Sequence, residues 1–403
     1  MNNYMQVMQN AMNVLRAGGM VVLVDDEHRE NEGDLVMAAE LVTADAINFM
    51  ATHGRGLICL SLTQSQVDRL RLPMMTRCNG SPYDTAFTVS IEAAQGISTG
   101  ISAKDRAHTI KTAINADATP RDVIYPGHVF PLQARQKGVI ERRGHTEGSI
   151  DLMRLSGLHH SAVICEIMNE DGTMSRMDEL RIFAQKHHLP IISIQDILNY
   201  RIKTEQLVTE EISARIPMDD YGDLQLRLFK NDFDQFEHFI LYKEPQDKSV
   251  APLVRIHSEC LTGDLLGSLK CDCGLQLHTA LQRISQEGGA LIYLRQEGRG
   301  IGLGNKLRAY VLQDQGFDTV DANVHLGLPV DGRDYTIAYQ MLKHLGWDRI
   351  RLMTNNPRKI ELLRFFGIDV LQREQIEVPV NTENEKYIKV KKQKLGHLFQ
   401  TKK

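Results

Sequence analysis

The chain has 403 residues, 42% hydrophobic and 24% charged, with 51 acidic and 47 basic side chains and a net charge of −4. It is too long for one typical core, and its composition is that of a folded, multi-domain protein rather than a disordered one. With no overall basic field, nucleic acid is not expected as a partner.

In chain order, residues 5–17 carry apolar positions at helical spacing and stop at Gly18-Gly19, which predicts a helix. A short buried strand, MVVLV, follows and runs into the acidic segment DDEHRENEGD (25–34). LICLSLT (57–63), AFTVSI (86–91), SAVICEIM (161–168) and LPIISI (189–194) read as strands. Helical patterns lie between them, one opening at Ser102 as its N-cap and another over 176–187. YPGHVFPL (125–132) reads as a rigid loop holding His128. This α/β unit ends near residue 200, and the charged stretch 199–223 is the expected linker. LQLRLF and FEHFILY then alternate like antiparallel strands, followed by helices and strands in turn: 275–287, ALIYLR, 301–315, 334–345, IRLM and 357–366. The halves do not resemble each other. The expected fold class is α/β (α+β), two unrelated mixed-sheet domains fused in tandem over 1–203 and 204–403. The end, KYIKVKKQKLGHLFQTKK, is expected to be a solvated tail, with a basic contact for phosphate as the alternative.

The N-terminus lacks a basic region ahead of an apolar core, and runs such as GMVVLV are far too short to span a bilayer. Six cysteines, Cys59, Cys78, Cys165, Cys260, Cys271 and Cys273, are few for this length, and three fall in one cluster. That fits a reducing compartment with one metal site better than a disulfide framework. A cytoplasmic protein without membrane contact is expected.

Two groups of motifs carry chemistry. In the first half, DDEHRENEGD packs six carboxylates behind a buried strand with Arg29 among them. Such density calls for a shared proton or a hard divalent cation such as Mg²⁺; an acidic surface loop is the plain alternative. ERRGHTEG (141–148) sets two arginines, a histidine and a threonine before a helical pattern, a chemistry suited to phosphate. With His128, the set suggests a phosphorylated, oxygen-rich substrate held against a divalent metal.

DDEHRENEGD, TAFTVSIEA (85–93), SAKDR (102–106), GHVFPL and RGHTE resemble 3,4-dihydroxy-2-butanone 4-phosphate synthase of riboflavin synthesis over roughly residues 5–203. The resemblance implies conversion of D-ribulose 5-phosphate to the four-carbon phosphate and formate, with Mg²⁺ or Mn²⁺. It implies Glu30 and His145 as metal ligands, and Arg29, Glu30, Asp34, Arg142, Arg143, Gly144, His145, Thr146 and Glu166 as contacts to the sugar phosphate. His128 and Glu166 match positions essential for acid/base steps, in which carboxylate and imidazole move protons next to metal-polarised oxygens. Three positions depart from the family pattern. Tyr125 stands where an arginine is usual, Arg143 where a small residue is usual, and Tyr83-Asp84 where His-Gly is usual.

In the second half, HSECLTGDLLGSLKCDCG (257–274) gives C-x₁₀-C-x-C, with no second cysteine pair. A closed structural zinc site would need His257 or His278 as a fourth ligand. The open reading is a three-thiolate Zn²⁺ whose remaining position takes water. RQEGRGIGLGNK (295–306), DGRDY (331–335) and TNNPRK (354–359) are three polar, cationic loops able to receive an anion near helix N-termini, and they favour the open reading.

RIHSECLTGD, SLKCDCG, RQEGRGIGL, NKLRAYVLQDQGFDTVDAN and MTNNPRKIELL resemble GTP cyclohydrolase II over roughly residues 205–400. The resemblance implies that Cys260, Cys271 and Cys273 bind zinc. Arg255, Ile256, His257, Ser258, Glu259, Gln276, Glu297, Gly298, Arg299, Thr319, Thr354 and Lys359 match GTP contacts. Asp331 matches the proton acceptor, Arg333 a proposed nucleophile toward the α-phosphate, and Tyr310 a further catalytic position. Guanidinium stays protonated, so an electrostatic role for Arg333 is the rival reading. Both resembled families act as dimers, so a homodimer is expected, with GTP and ribulose 5-phosphate as small-molecule partners. A chain whose first half only dimerises or regulates is the alternative. A zinc-ribbon nucleic-acid binder would need a basic module with four ligands.

Overall fold

Apolar residues at helical spacing put Met8, Ala11, Met12 and Leu15 on the buried face of the helix Asn3–Arg16 in the computed structural model. The structure describes residues 3–394 and 396–399. Contacts divide the chain into two units, Met1–Thr204 and Glu205–Lys403.

The first unit is built on one mixed sheet of β1 (Val21–Val24), β2 (Gly33–Ala38), β3 (Cys59–Leu62), β4 (Ile91–Ala93), β5 (Val123–Gln133), β6 (Ser161–Glu166) and β7 (Ile191–Ser193), in the order β4-β5-β3-β6-β2-β1-β7. β1–β7 and β3–β5 are parallel pairs; the other neighbours are antiparallel. Every residue of β1, β2 and β3 is buried, which is why β1 and β3 read as runs without alternation, while β2, opening with Gly33 and Asp34, is not among the expected strands. The acidic segment is the loop of the β1–β2 hairpin, because Val24 pairs with Gly33. Ser102 caps the helix Ala103–Ile114 by accepting from the N–H of Asp105 at 3.0 Å.

The second unit has β8 (Val208–Met218), β9 (Gly222–Asn231), β10 (His238–Lys243), β11 (Leu253–Ser258), β12 (Gly289–Leu294), β13 (Arg349–Met353) and β14 (Asp369–Glu374), in the order β14-β13-β11-β12-β10-β9-β8. β14, β13, β11 and β12 run parallel, and β10, β9 and β8 continue the sheet antiparallel. β13, β11 and β12 are neighbours, so the segments leaving their C-terminal ends emerge side by side. Those segments are TNNPRK, SEC and RQEGRG. Ligands bind there in open α/β sheets.

Four expectations need correction. YPGHVFPL is not a loop but the middle of β5, where Pro131 sits opposite Leu60 without needing its missing N–H for a long ladder. AFTVSI forms only isolated bridges, Met74 to Thr88 and Phe87 to Leu132, and regular pairing starts at Ile91. The expected linker 199–223 is largely ordered structure. It holds the end of the helix Ile194–Thr204 and all of β8, whose residues are mostly exposed at the sheet edge and so lack an apolar signal. The described part of the lysine-rich end is not a solvated tail: the helix Glu385–Gln393 packs onto the second unit, with Lys391 buried, while residue 395 and residues 400–403 lie outside the described residues. No helix among the described residues is long and apolar enough to cross a membrane.

Candidate active sites

In the first unit the hairpin loop is closed by Asp25. Its buried carboxylate accepts from the N–H groups of Glu30 (3.1 Å) and Glu32 (2.9 Å) and pairs with Arg29 at 2.8 Å. This turns Glu30 toward His145, Oε2 to Nδ1 3.5 Å, with Arg29 on its other side at 2.7 Å. Asp34 pairs with Glu166 across β2 and β6, and its Oδ1 lies 4.0 Å from His145 Nε2. Neither of these two buried atoms has a hydrogen-bond partner. Glu166 Oε2 accepts from the N–H of Leu57 at 2.7 Å, an approach that needs Gly56, since a Cβ there would stand 2.5 Å from that oxygen.

The electrostatics show what this cluster lacks. Burial pushes Asp34 up to about 7, and the Glu166 and Glu30 charges add to that against the pull of His145. Burial opposes the charged form of Glu30 too, but His145 and Arg29 more than offset it and hold the carboxyl at about 2. Against its own burial, Asp34 and Glu30 raise His145 to about 9. Glu30 and Asp34 thus face the two nitrogens of the His145 ring from opposite ends. Oxygen and imidazole donors from Asp25, Glu30 and His145 lie within 4.8 Å of one another. That donor set suits a hard divalent ion.

The helix His145–Ser156 begins at Gly144 with no side-chain cap, leaving its first N–H groups available to an anion. Arg142 is anchored beside it, bonded to Glu147 (2.5 Å), Thr85 (3.1 Å) and the Tyr83 carbonyl (3.0 Å). His128 is paired through Nδ1 with Glu92.

In the second unit Cys260 and Cys271 approach to 3.7 Å, and all three cysteine sulfurs lie within 4.8 Å of one another. The edge of a tetrahedron with metal–sulfur bonds of about 2.3 Å is about 3.8 Å, so the spacing fits one ion. Gly263 is packed against the sulfurs; a Cβ there would lie 2.8 Å from Cys271 Sγ. Lys306 Nζ reaches Cys260 Sγ at 3.1 Å and Glu297 at 2.8 Å. Hydrogen bonds from Cys271 and Cys273, then the Lys306 charge, hold the Cys260 thiol far below its ordinary range against burial. The candidate fourth ligands are engaged elsewhere. His257 Nε2 faces Asp264 at 3.0 Å, His278 Nδ1 is hydrogen-bonded to the Tyr221 hydroxyl at 2.6 Å, and neither ring joins the three sulfurs within 4.8 Å.

Beside the thiols lies a cationic cavity. Arg255 is held by Gln276 (2.7 Å) and the Met353 carbonyl (3.1 Å), and Lys359 donates to the Ile256 carbonyl at 2.8 Å. Arg333 forms a two-pronged pair with Asp331, at 2.8 and 2.7 Å. Buried polar atoms without partners concentrate here: Arg255 Nε, His257 Nδ1, Ser258 Oγ and both terminal nitrogens of Arg299. Gly298, Arg299 and Gly300 all adopt positive φ, turning the 297–300 loop tightly into the site. A row of unsatisfied donors and several guanidinium groups is the chemistry of a polyphosphate site.

Comparison with known proteins agrees with this pair of sites. Residues 9–200 match the 3,4-dihydroxy-2-butanone 4-phosphate synthase family and residues 209–375 the GTP cyclohydrolase II family. Riboflavin biosynthesis protein RibBA of Aquifex aeolicus is 52% identical over 395 residues, 97% of each chain. The chain belongs to the bifunctional riboflavin biosynthesis enzymes. RibBA of Bacillus cereus strain AH187 is 48% identical over 97% of this chain and 98% of its own. The crystal structure of RibBX from A. baumannii, described as a two-domain 3,4-dihydroxy-2-butanone 4-phosphate synthase, is 35% identical. It superposes with a TM-score of 0.69 over 92% of this chain and 99% of that one. The family joins a lyase, the synthase half, to a hydrolase, the cyclohydrolase half.

In the synthase half, Arg29, Glu30, Asp34, His145 and Glu166 come together as one cluster, while Thr146 is buried in the first turn of the same helix and Arg143 projects outward, exposed. The departures from the family pattern are accommodated. Asp84, standing where glycine is usual, takes φ 56°, a left-handed conformation that aspartate tolerates. Tyr83 donates its hydroxyl to the Arg29 carbonyl at 2.6 Å and stacks under that guanidinium, a tie histidine would make differently. In the cyclohydrolase half, one cavity brings Ser258, Glu259, Glu297, Gly298, Arg299, Tyr310, Thr319 and Arg333 to the cysteines. A second joins Arg255, His257, Gln276, Thr354 and Lys359.

Sequence reasoning missed Glu92, Asp264, Lys306 and Lys391 as members of these sites. Lys306 lies in a quoted motif, and its spacing after Glu297, nine residues on and into a helix, could have flagged it. Glu92 and Asp264 also lie in quoted motifs, and the segment of Lys391 had a basic contact for phosphate as its alternative reading, but their pairings with His128, His257 and Asp272 are seen only in the fold.

Proposed function

We propose that the synthase half converts D-ribulose 5-phosphate to 3,4-dihydroxy-2-butanone 4-phosphate and formate, and that the cyclohydrolase half hydrolyses GTP to 2,5-diamino-6-ribosylamino-4(3H)-pyrimidinone 5′-phosphate, formate and diphosphate. The observation that carries this reading is the open triad of Cys260, Cys271 and Cys273 at the mouth of a cavity lined with unpaired cationic donors.

Cys260, Cys271 and Cys273 would hold zinc, which when bound would supply a Lewis acid able to activate water at neutral pH. The chain's own residues do the rest. Arg255, Arg299, Arg333 and Lys359 receive the triphosphate, and Tyr310 and Thr319 border the thiol end of the cavity. Asp331 grips the guanidinium of Arg333 with two hydrogen bonds, and against burial Tyr335 and Asp331 hold it more firmly protonated than usual. Arg333 therefore acts by stabilising phosphoryl charge rather than as a nucleophile. In the synthase half Glu30 and His145 would hold Mg²⁺ or Mn²⁺, which would supply Lewis-acid polarisation. Glu166 and His128 move protons, Glu92 orients the His128 ring, and the start of the helix His145–Ser156 takes the phosphate.

A homodimer accounts for the exposed leucines Leu265, Leu266 and Leu269, at 74, 69 and 62% exposure beside the helix Gly302–Asp314, to which Lys270 is tied through Asp314. Sedimentation is expected to give twice the chain mass. The enzyme acts in the cytoplasm.

The deciding experiment is a pair of formate-release assays on purified protein, one with GTP and one with ribulose 5-phosphate and Mg²⁺. Release from both is expected; silence with ribulose 5-phosphate alone would leave the synthase half a dimerisation or regulatory module. Tyr125 is 54% exposed on β5, so Tyr125→Arg is expected to lower the KM for ribulose 5-phosphate by about two- to fivefold through an exposed ion pair. An unchanged KM would show that this rim position is neutral.

A further inference from the structure

The matched GTP cyclohydrolase II region ends at residue 375, yet the chain beyond it returns to the nucleotide cavity. Asn384, fully buried, starts the helix Glu385–Gln393. One face of that helix brings Tyr387 and Lys391 into the cavity. After it, the N–H of His397 donates to the Lys391 carbonyl (3.0 Å) and the N–H of Leu398 to the Asn355 carbonyl (2.8 Å), fastening the segment across TNNPRK. Lys391 Nζ stands 2.5 Å from Asp272 and 4.5 Å from the centre of the Tyr387 ring. Arg299 approaches the same ring at 5.7 Å. Tyr387 borders both the thiol end and the cationic end of the site.

Two observations say that a ligand, not only a fold contact, explains this arrangement. Asp272 is also bonded by Gln276, which in turn holds Arg255, so the Lys391 ammonium joins the network that aims a buried arginine with an unpaired Nε into the cavity. Among the described residues the cavity is lined by Arg255, Arg299, Arg333, Lys359 and Lys391 and by no carboxylate, and the nearby Asp272 and Asp331 are each already paired with a cation. A solvated tail would not be expected to carry a lysine into a site already rich in positive charge unless an anion balances it.

We propose that the C-terminal helix completes the GTP site, with Lys391 a binding residue for the phosphates and Tyr387 the wall where the phosphate end meets the thiol end. The inference rests on the GTP cyclohydrolase reading above. It is tested by titrating full-length protein with inorganic pyrophosphate in a calorimeter, a measurement that needs no turnover, alongside GTP kinetics and zinc content. Lys391→Met is expected to weaken pyrophosphate binding and raise the KM for GTP by about tenfold, the loss of one charge-assisted contact, with kcat nearly kept and zinc retained. Lys391→Arg is expected to restore most of the binding. Unchanged pyrophosphate affinity would overturn the proposal. So would wild-type affinity in the double variant Asp272→Asn, Lys391→Met, because Lys391 would then only neutralise Asp272. If Lys391→Met loses zinc, Lys391→Gln is read against the same two outcomes. Wild-type protein that binds pyrophosphate but releases no formate from GTP would instead defeat the cyclohydrolase reading.

Discussion

Cys271→Ser is expected to abolish formate release from GTP, by more than about 100-fold, and to empty the protein of zinc while leaving the ribulose 5-phosphate reaction at wild-type rate. Disturbing merely the outer partner of a metal ligand costs 10- to 100-fold, and removing one of three protein ligands from an open site costs more. The geometry leaves no substitute. Among the described residues no histidine nitrogen joins the three sulfurs within 4.8 Å, so neither His257 nor His278 stands ready to replace a thiolate. The cost is confined to one half, because the sulfur cluster is built wholly from the second unit, from the segment after β11 and the start of the helix Cys273–Glu287. Metal analysis and the two formate assays check this together. Equal loss of both activities would contradict independent sites.

Glu30→Ala is expected to do the reverse: ribulose 5-phosphate turnover falls by more than about 100-fold and GTP turnover is untouched. Glu30 is the carboxylate that faces both His145 and Arg29. Without it, the cation site loses an oxygen donor and the two basic groups lose the charge that holds them in place. Binding of Mn²⁺, followed by paramagnetic resonance on the full chain, should weaken in parallel. Retained ribulose turnover would remove Glu30 from the metal assignment. Asp25 offers a contrast, since its oxygens are spent on the loop's own N–H groups and on Arg29. Its replacement would loosen the loop as well as delete a donor.

Much of the site was legible because both halves write their chemistry in short local runs. A carboxylate cluster behind a buried strand, a histidine at the start of a helix, three thiols in one turn-rich stretch and glycine-rich loops before helices each carry their meaning within about ten residues. Four helices of the second unit were legible for the same reason, near 275–287, 301–315, 334–345 and 357–366, whereas Thr319–His325 and Glu385–Gln393 were not. What failed was read from texture alone. β5 contains Pro126 and Pro131, which argue locally for a loop, but its neighbours β3 and β4 supply enough pairing to keep it extended. β8 looked like a linker because an edge strand facing solvent has no apolar alternation to show.

The sequence by itself determined which side chains could do the chemistry, since metal and phosphate preferences belong to residue types and their spacing. Only the tertiary structure decided which of them meet. The parallel order β13-β11-β12 gathers three separated loops at one sheet edge, and the fold leaves His257 outside the group of sulfurs that lie within 4.8 Å of one another. The lysine-rich end changes most: its charges read as solvated, yet Asp272, more than a hundred residues earlier, draws Lys391 into the cationic cavity. Long-range charge pairing leaves no periodic trace along the chain, so it became visible only once the fold had brought its partners together.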